Sequence, residues 1–301
     1  MKYNLDASRC VVLLVSMLSV AYPGFVRAQD HQDPLRFHFA AIDVPGAVRT
    51  LALGTNNRGD IVGGYDLPTE TRAFLLRDGV YMTFAMPNAV FTSARGINDR
   101  GDIVGTFVDA RFTGHGFLWR KGTFTVVDFP GALSSDAFAI NNSGVIVGDY
   151  FVDPGLLYAR GFLLADDGFK QIDVGGSVES PALGISAQGE VVGLWDSDLS
   201  TFHGFTGRKG RFETVDFPGA VASWINGISA HGELVGDYFD SMGSHGYVSD
   251  GEDFVPFEVP GSVPGQTLAV GVNDARQVVG FYKDVKAGHL RGFLATPVRH
   301  D

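Results

Sequence analysis

Gly96-Ile97-Asn98-Asp99-Arg100-Gly101-Asp102-Ile103-Val104-Gly105 is one of six copies of a single pattern. The core of the pattern is Asn/Ser–x–x–Gly–x–apolar–apolar–Gly, and the other copies close at Gly63, Gly148, Gly193, Gly236 and Gly280. The closing glycines recur every 42 to 45 residues. A fixed period of that length reads as propeller blades or a stacked array, because one such unit cannot bury its own apolar face. One copy departs: Arg276 stands where the others have the turn glycine.

The stretch has the chemistry of a β-hairpin. An apolar strand reaches Asn98, whose side chain can hydrogen-bond the backbone ahead, as can Asn141 and Ser186. Gly101 offers a positive φ at the turn exit, and Ile103-Val104 starts the return strand. Arg276 in the same slot costs on the order of 1 kcal/mol if the geometry is kept. A second hairpin fills the rest of each repeat, as in Gly116-Phe117-Leu118-Trp119-Arg120-Lys121-Gly122-Thr123-Phe124-Thr125-Val126-Val127-Asp128. Four short strands in two hairpins are the content of a propeller blade. The expected fold is therefore all-β, a six-bladed β-propeller of about 43-residue repeats, with no persistent helical period after residue 36.

Aromatic residues keep the register. Tyr65, Phe107, Tyr150, Trp195, Tyr238 and Tyr282 stand two residues after each closing glycine. Third strands carry Phe74, Phe117, Phe162, Phe205, Tyr247 and Phe293, and fourth strands Phe39, Tyr81, Phe124, Phe169, Phe212 and Phe254. Period-2 geometry places Gly105 and Phe107 on one face, so that a ring can cover bare glycine backbone. These rings read as blade-to-blade core, with a sugar-stacking platform as the alternative.

The N-terminus is organised differently. Lys2 and Arg9 precede an apolar run, Val11 to Tyr22, that is too short to span a bilayer. Val26-Arg27-Ala28 then resembles a small-residue cleavage site, so residues 1–28 read as a signal peptide cut after Ala28. The expected destination is the periplasm or the medium. Residues 29–36 form a polar leader, 37–297 the repeats and 298–301 a C-terminal tail. The single cysteine, Cys10, lies inside the segment read as a signal peptide, so the mature chain rests on its core without disulfides. The net charge of −11 excludes nucleic acid and anionic lipid as expected partners. A monomer with a glycan or protein ligand is the expectation.

The repeats start out of phase. Phe39-Ala40-Ala41-Ile42-Asp43 has a fourth-strand pattern, while the chain ends its repeats on the third-strand sequence Gly292-Phe293-Leu294. Pairing the first strand into the last blade would close the ring and remove both exposed edges. Fourth strands end in acidic-x-Pro-Gly corners, such as Asp128-Phe129-Pro130-Gly131, where proline suits a strand exit.

The chain resembles the HAF-repeat family of bacterial exported proteins, named for a His-Ala-Phe step. The matching residues are the Gly-Ile-Asn-x-x-Gly-x-Ile-Val-Gly pattern with His115-Gly116-Phe117, His203-Gly204-Phe205 and His245-Gly246-Tyr247. Arg72-Ala73-Phe74, Arg160-Gly161-Phe162 and Arg291-Gly292-Phe293 depart at the histidine. The resemblance implies an extracellular β-repeat protein and no reaction.

Two polar series flank the third-strand loop. Asp66, Asp109, Asp153, Asp196, Asp240 and Asp284 stand near its start; Arg72, His115, Arg160, His203, His245 and Arg291 stand before its return. They read either as structural clasps holding each loop or as a ligand ring at one channel mouth. Trp195 and Trp224 break the symmetry and join the candidates. The three histidines lie in different repeats, and no nucleophile, zinc, calcium or phosphate motif occurs, so no catalytic residue, metal or cofactor is expected. Near-equal loops favour a non-catalytic binding or interaction module. The alternatives are a hydrolase or lyase at the channel mouth, near Trp195, His203 and Trp224, or an envelope component with no ligand.

Overall fold

The computed structural model describes residues 36–153, 155, 158–198 and 201–298. Residues 1–28, read from the sequence as a signal peptide, the polar leader before Arg36 and the C-terminal residues after Val298 lie outside them. Every element among the described residues is a β-strand, and no helix is long and apolar enough to cross a membrane.

The strands form two four-stranded sheets and two eight-stranded ones. Each eight-stranded sheet consists of two antiparallel runs joined by one parallel pair, Thr71↔Phe91 or Ser244↔Gln266. Five repeats supply the same succession of four strands, and the sixth supplies the first three. In the second repeat the inner strand Phe91–Ile97 pairs with Ile103–Val108, then Gly114–Arg120, then Thr123–Val127. The inner strands of the other repeats are Arg49–Thr55, Ser134–Ile140, Ala182–Ile185, Ala222–Ile228 and Ser262–Val272.

The quoted stretch is the hinge between inner and second strands. Asn98 Oδ1 accepts from the backbone N–H groups of Arg100 and Asp102, both at 3.0 Å, closing the turn. Its Nδ2 donates to the Asn141 carbonyl of the next repeat at 3.1 Å. Asn56 reaches Asn98 and Asn141 reaches Ser186 in the same way, each at 3.1 Å. Asn273 of the last repeat donates to the Asn56 carbonyl of the first at 3.0 Å. One amide thus satisfies its own turn and ties it to a neighbour. Arg276 adopts φ 59°, close to the φ 82° of its counterpart Gly101, so the turn is kept despite the side chain.

Closing glycines are required by contact. A Cβ on Gly105 would lie 2.1 Å from the Ser93 carbonyl oxygen and 2.8 Å from Phe117 Cζ. The ring that covers Gly105 is therefore Phe117, its cross-strand partner, and not Phe107 on its own strand. Phe107 instead stacks on His115 with centroids 4.9 Å apart. The sheets come closest at the small residue ahead of the turn: a Cβ on Gly271 of the last repeat would meet Gly54 Cα of the first at 3.3 Å.

Corners are fastened by hydroxyls. The backbone N–H groups of Val44, Met86, Phe129, Phe217 and Val259 donate to Thr50, Thr92, Ser135, Ser223 and Thr267 on the following inner strands. The N-terminal strand Phe37–Ile42 pairs antiparallel with Leu290–Pro297, with Ile42 opposite Gly292 and Phe39 opposite Ala295. Phe37 and Phe39 pack on Phe257, at 5.5 and 6.0 Å, and Phe39 on Phe293 at 6.0 Å.

Candidate functional site

A cavity of about 590 Å³ lies among the inner strands of all six repeats. Its wall is built from alternate inner-strand positions, whose side chains point away from the sheet behind them. The residue before the small one is Leu53, Arg95, Phe138, Leu183, Asn226 or Val270, and all six line the cavity. Two positions earlier, Asp136, Pro181 and Trp224 line it as well. The second strands add Asp149, Leu194 and Phe281, each the residue after a closing glycine.

This wall is amphipathic. Repeats 1 and 6 supply Leu53, Val270 and Phe281, which belong to one apolar cluster with Leu51, Phe91, Val108 and Leu268. Repeats 2 to 5 supply Arg95, Asp136, Asp149, Glu179, Trp224 and Asn226. One end is ringed by turn residues, where Asn57 Nδ2 donates to Asp99 at 3.0 Å and Asp274 at 2.8 Å, and Asn142 Nδ2 donates to Asp99 at 2.6 Å. Ala187 and Ala230 take the equivalent places in repeats 4 and 5.

The acidic groups are deeply placed. Asp136 and Asp149 face each other across paired strands and are 4% and 5% exposed. Burial pushes both carboxyls above the usual range, Asp149 furthest because the Asp136 charge adds to burial. Thr106 donates its hydroxyl to Asp136 Oδ1 at 2.5 Å, and the Arg95 charge counteracts part of the rise on both. Asp149 Oδ1 is buried without a hydrogen-bond partner. Glu179 is pushed up to about 7, chiefly by burial, although the Ala159 N–H donates to it at 3.3 Å. Asp196 and Asp153 add to the rise. Asp237, behind the wall, is also pushed up to about 7 by burial while accepting from Asn226 Nδ2 at 2.6 Å and the Ala269 N–H at 2.9 Å.

The loop series lies elsewhere. Of the residues singled out in the sequence, Trp224 lines the cavity; Asp66, Asp109, Asp153, Asp196, Asp240, Asp284, Arg72, His115, Arg160, His203, His245, Arg291 and Trp195 do not. His115, His203 and His245 place Nδ1 against fourth-strand acids, at 2.7 Å from Asp128, 2.7 Å from Asp216 and 2.5 Å from Glu258. The corner acid is thus the nearer partner. Loop-start acids stand further off His115, 3.8 Å to Asp109, and at 3.0 Å on His245 from Asp240. Each imidazole also lies on the aromatic ring opposite it: His115 on Phe107, His203 on Trp195, His245 on Tyr238, with centroids about 5 Å apart. Glu258, first among the causes, raises the pKa of His245.

The loop-start acids mostly hold their own loops. Asp109 accepts from the N–H groups of Arg111 and Thr113, Asp240 from Met242, and Asp284 from Lys286 and Ala287. Asp284 is drawn down to about 2, first by the Ala287 N–H. Arg291 bridges Asp284 at 3.0 Å and Asp43 at 3.1 Å; Arg72 pairs with Glu70 at 2.9 Å; Arg49 holds Asp66 at 2.5 Å. Asp196 is fully buried beside Glu179, with which it forms a backbone bridge. No group of three or more metal-ligating side chains occurs among the described residues.

No protein-family model and no curated protein matches the chain. Solved structures do. TolB from Acinetobacter baumannii has a TM-score of 0.53 at 11% identity, covering 79% of this chain and 64% of its own. Aleuria aurantia lectin in complex with Fucα1-6GlcNAc has 0.52 at 9% identity, covering 86% and 97%. A protein assigned as a gluconolactonase has 0.52 at 13% identity, covering 88% and 94%. The class these likenesses define, together with the four-stranded sheets about a central cavity, is the β-propeller.

Proposed function

We propose that this chain is an exported propeller of six blades, its ring closed by Phe37–Ile42, which binds a glycan in its central cavity and acts as a non-catalytic module. The six repeats support the blade count. Closure is supported by the pairing of Phe37–Ile42 with the last strand and by the Asn273–Asn56 and Gly271–Gly54 contacts between last and first repeats. Membership of the HAF-repeat group belongs to the same proposal.

The observation that carries the ligand reading is the amphipathic cavity wall. A sugar presents an apolar C–H face and a rim of hydroxyls, and needs both an apolar surface and convergent hydrogen-bonding groups. Leu53, Val270 and Phe281 offer the first; Asp136, Asp149, Glu179 and Asn226 offer the second. About 590 Å³ suits a short oligosaccharide or the end of a longer one and not the face of a folded protein. A glycan array probed with the purified chain tests this. Binding that disappears in Trp224→Ala and Asn226→Ala supports it. Binding that survives both, with unchanged melting, places the ligand elsewhere.

A hydrolase or lyase is the second reading, and Glu179 favours it. A carboxyl at about 7 in a cavity with other carboxyls has the proton affinity of a general acid. Release of reducing ends from a polysaccharide, abolished by Glu179→Gln, would establish that reading in place of the first.

A further inference from the structure

The polar side of the cavity holds more carboxyls than its basic side chains can balance. Asp136, Asp149 and Glu179 all line it, and Arg95 is the one basic side chain among its described lining residues. The Arg95 guanidinium also lies 5.4 Å from the centre of the Phe138 ring. Asp136 has the Thr106 hydroxyl on one oxygen. Asp149 Oδ1, on a side chain 5% exposed, has no donor at all. A buried carboxyl without a donor or a sufficient countercharge stays protonated, and a ligand that supplies both lets it ionise. A sugar hydroxyl supplies only the donor. An ammonium supplies three donors and the charge.

We infer that the glycan taken by this cavity bears a free amine, which docks as an ammonium on Asp149 Oδ1 with Asp136 and Glu179 beside it. The inference rests on the cavity reading above and names the chemical class within it: an oligosaccharide of 2-amino sugars. The groups facing Asp149 are Asp136 on the inner strand beside it, Arg95 on the neighbouring inner strand and Glu179 ahead of the next. Asp128 bears on Asp136, and Asp153 and Asp196 bear on Glu179. All of these but Arg95 are acids, so a cation entering here meets six carboxyls and one opposing guanidinium. Its arrival favours the ionised carboxylates, and the Asp136–Asp149 pair releases a proton as the ligand binds.

Calorimetric titration of the full chain with a glucosamine oligomer and with its N-acetylated counterpart of equal length is the test. The free-amine oligomer is expected to bind at least about tenfold tighter, the worth of one charge-assisted hydrogen bond. Its binding heat is expected to vary with the ionisation enthalpy of the buffer, as proton release requires. Asp149→Asn is expected to abolish the preference for the free-amine oligomer. Should that variant fail to fold, Glu179→Gln is expected to narrow the preference. Equal affinity for both oligomers overturns the amine assignment and leaves the glycan reading standing. Binding of neither overturns both.

Discussion

Removing the N-terminal strand is the perturbation whose cost can be worked from contacts. A chain beginning at Val44 loses Phe37–Ile42 and its pairing with Leu290–Pro297. Ile42 is 4% exposed, so its burial is worth about 2 kcal/mol. Phe37 and Phe39 are partly buried against Phe257 and Phe293, and half of a full phenylalanine each adds about 2 kcal/mol together. The fully buried Phe293 is uncovered at the same time, and the account predicts a loss of roughly 4–6 kcal/mol in all. For a domain of this size that is a fall in Tm on the order of 10–20 °C. Differential scanning calorimetry of the two chains reads it directly. A synthetic peptide of residues 36–43 added in trans should restore part of the loss, because it binds only the folded chain. If the truncated chain does not fold, Ile42→Ala in the intact chain gives the measurable version, at about 2–3 kcal/mol. A truncated chain melting within about two degrees of the intact one refutes closure and leaves an open array.

Other perturbations follow from single sites. Asp237 is fully buried with its pKa pushed from 3.8 up to about 7, so the folded state holds a proton that the unfolded state gives up earlier. Its contribution is fully present below the ordinary carboxylate pKa and is lost as pH rises toward about 7, a fall of roughly 4 kcal/mol. Glu179 acts in the same direction from 4.5 to about 7. Urea midpoints should therefore decline across that window, and Asp237→Asn should flatten the decline; a midpoint that rises with pH there contradicts the assignment. Arg276→Gly should relieve about 1 kcal/mol of left-handed strain at φ 59°. It also removes the exposed ion pair with Glu233, worth less than that. The variant should be slightly more stable by denaturant titration, and a clear loss would show that the ion pair outweighs the strain.

The repeat, its two hairpins and the phase of the N-terminal strand were legible because turns and pleats use the same residues each time: Asn98 with Gly101, then Gly105. The loop clasps were legible in part. Spacing puts Asp109 and His115 at the two ends of one loop. Cross-strand register, however, turns the His115 ring toward Asp128 on the neighbouring strand, and spacing along one chain does not carry that. The cavity was the least legible, for the opposite reason. Its residues are the ones that do not repeat. Leu53, Arg95, Phe138, Leu183, Asn226 and Val270 share one place in the pattern and no chemistry. A search for regularity passes over them, although reading down that column, and down the residue after each closing glycine, exposes Arg95, Asn226, Asp149 and Asp237 as polar intrusions into strands expected to be apolar.

The central claim is that the ligand sits in the cavity and not on the loops. The chain has three tryptophans, Trp119, Trp195 and Trp224, and their indole N–H signals are separable by ¹⁵N–¹H NMR. Trp224 lines the cavity, Trp195 stacks on His203 in a loop clasp, and Trp119 packs on Phe84 between the first two repeats. Titration with an oligosaccharide selected on the array should shift the Trp224 indole signal and leave the other two in place. A shift at Trp195 with Trp224 unmoved would put the ligand on the loop ring and contradict the account.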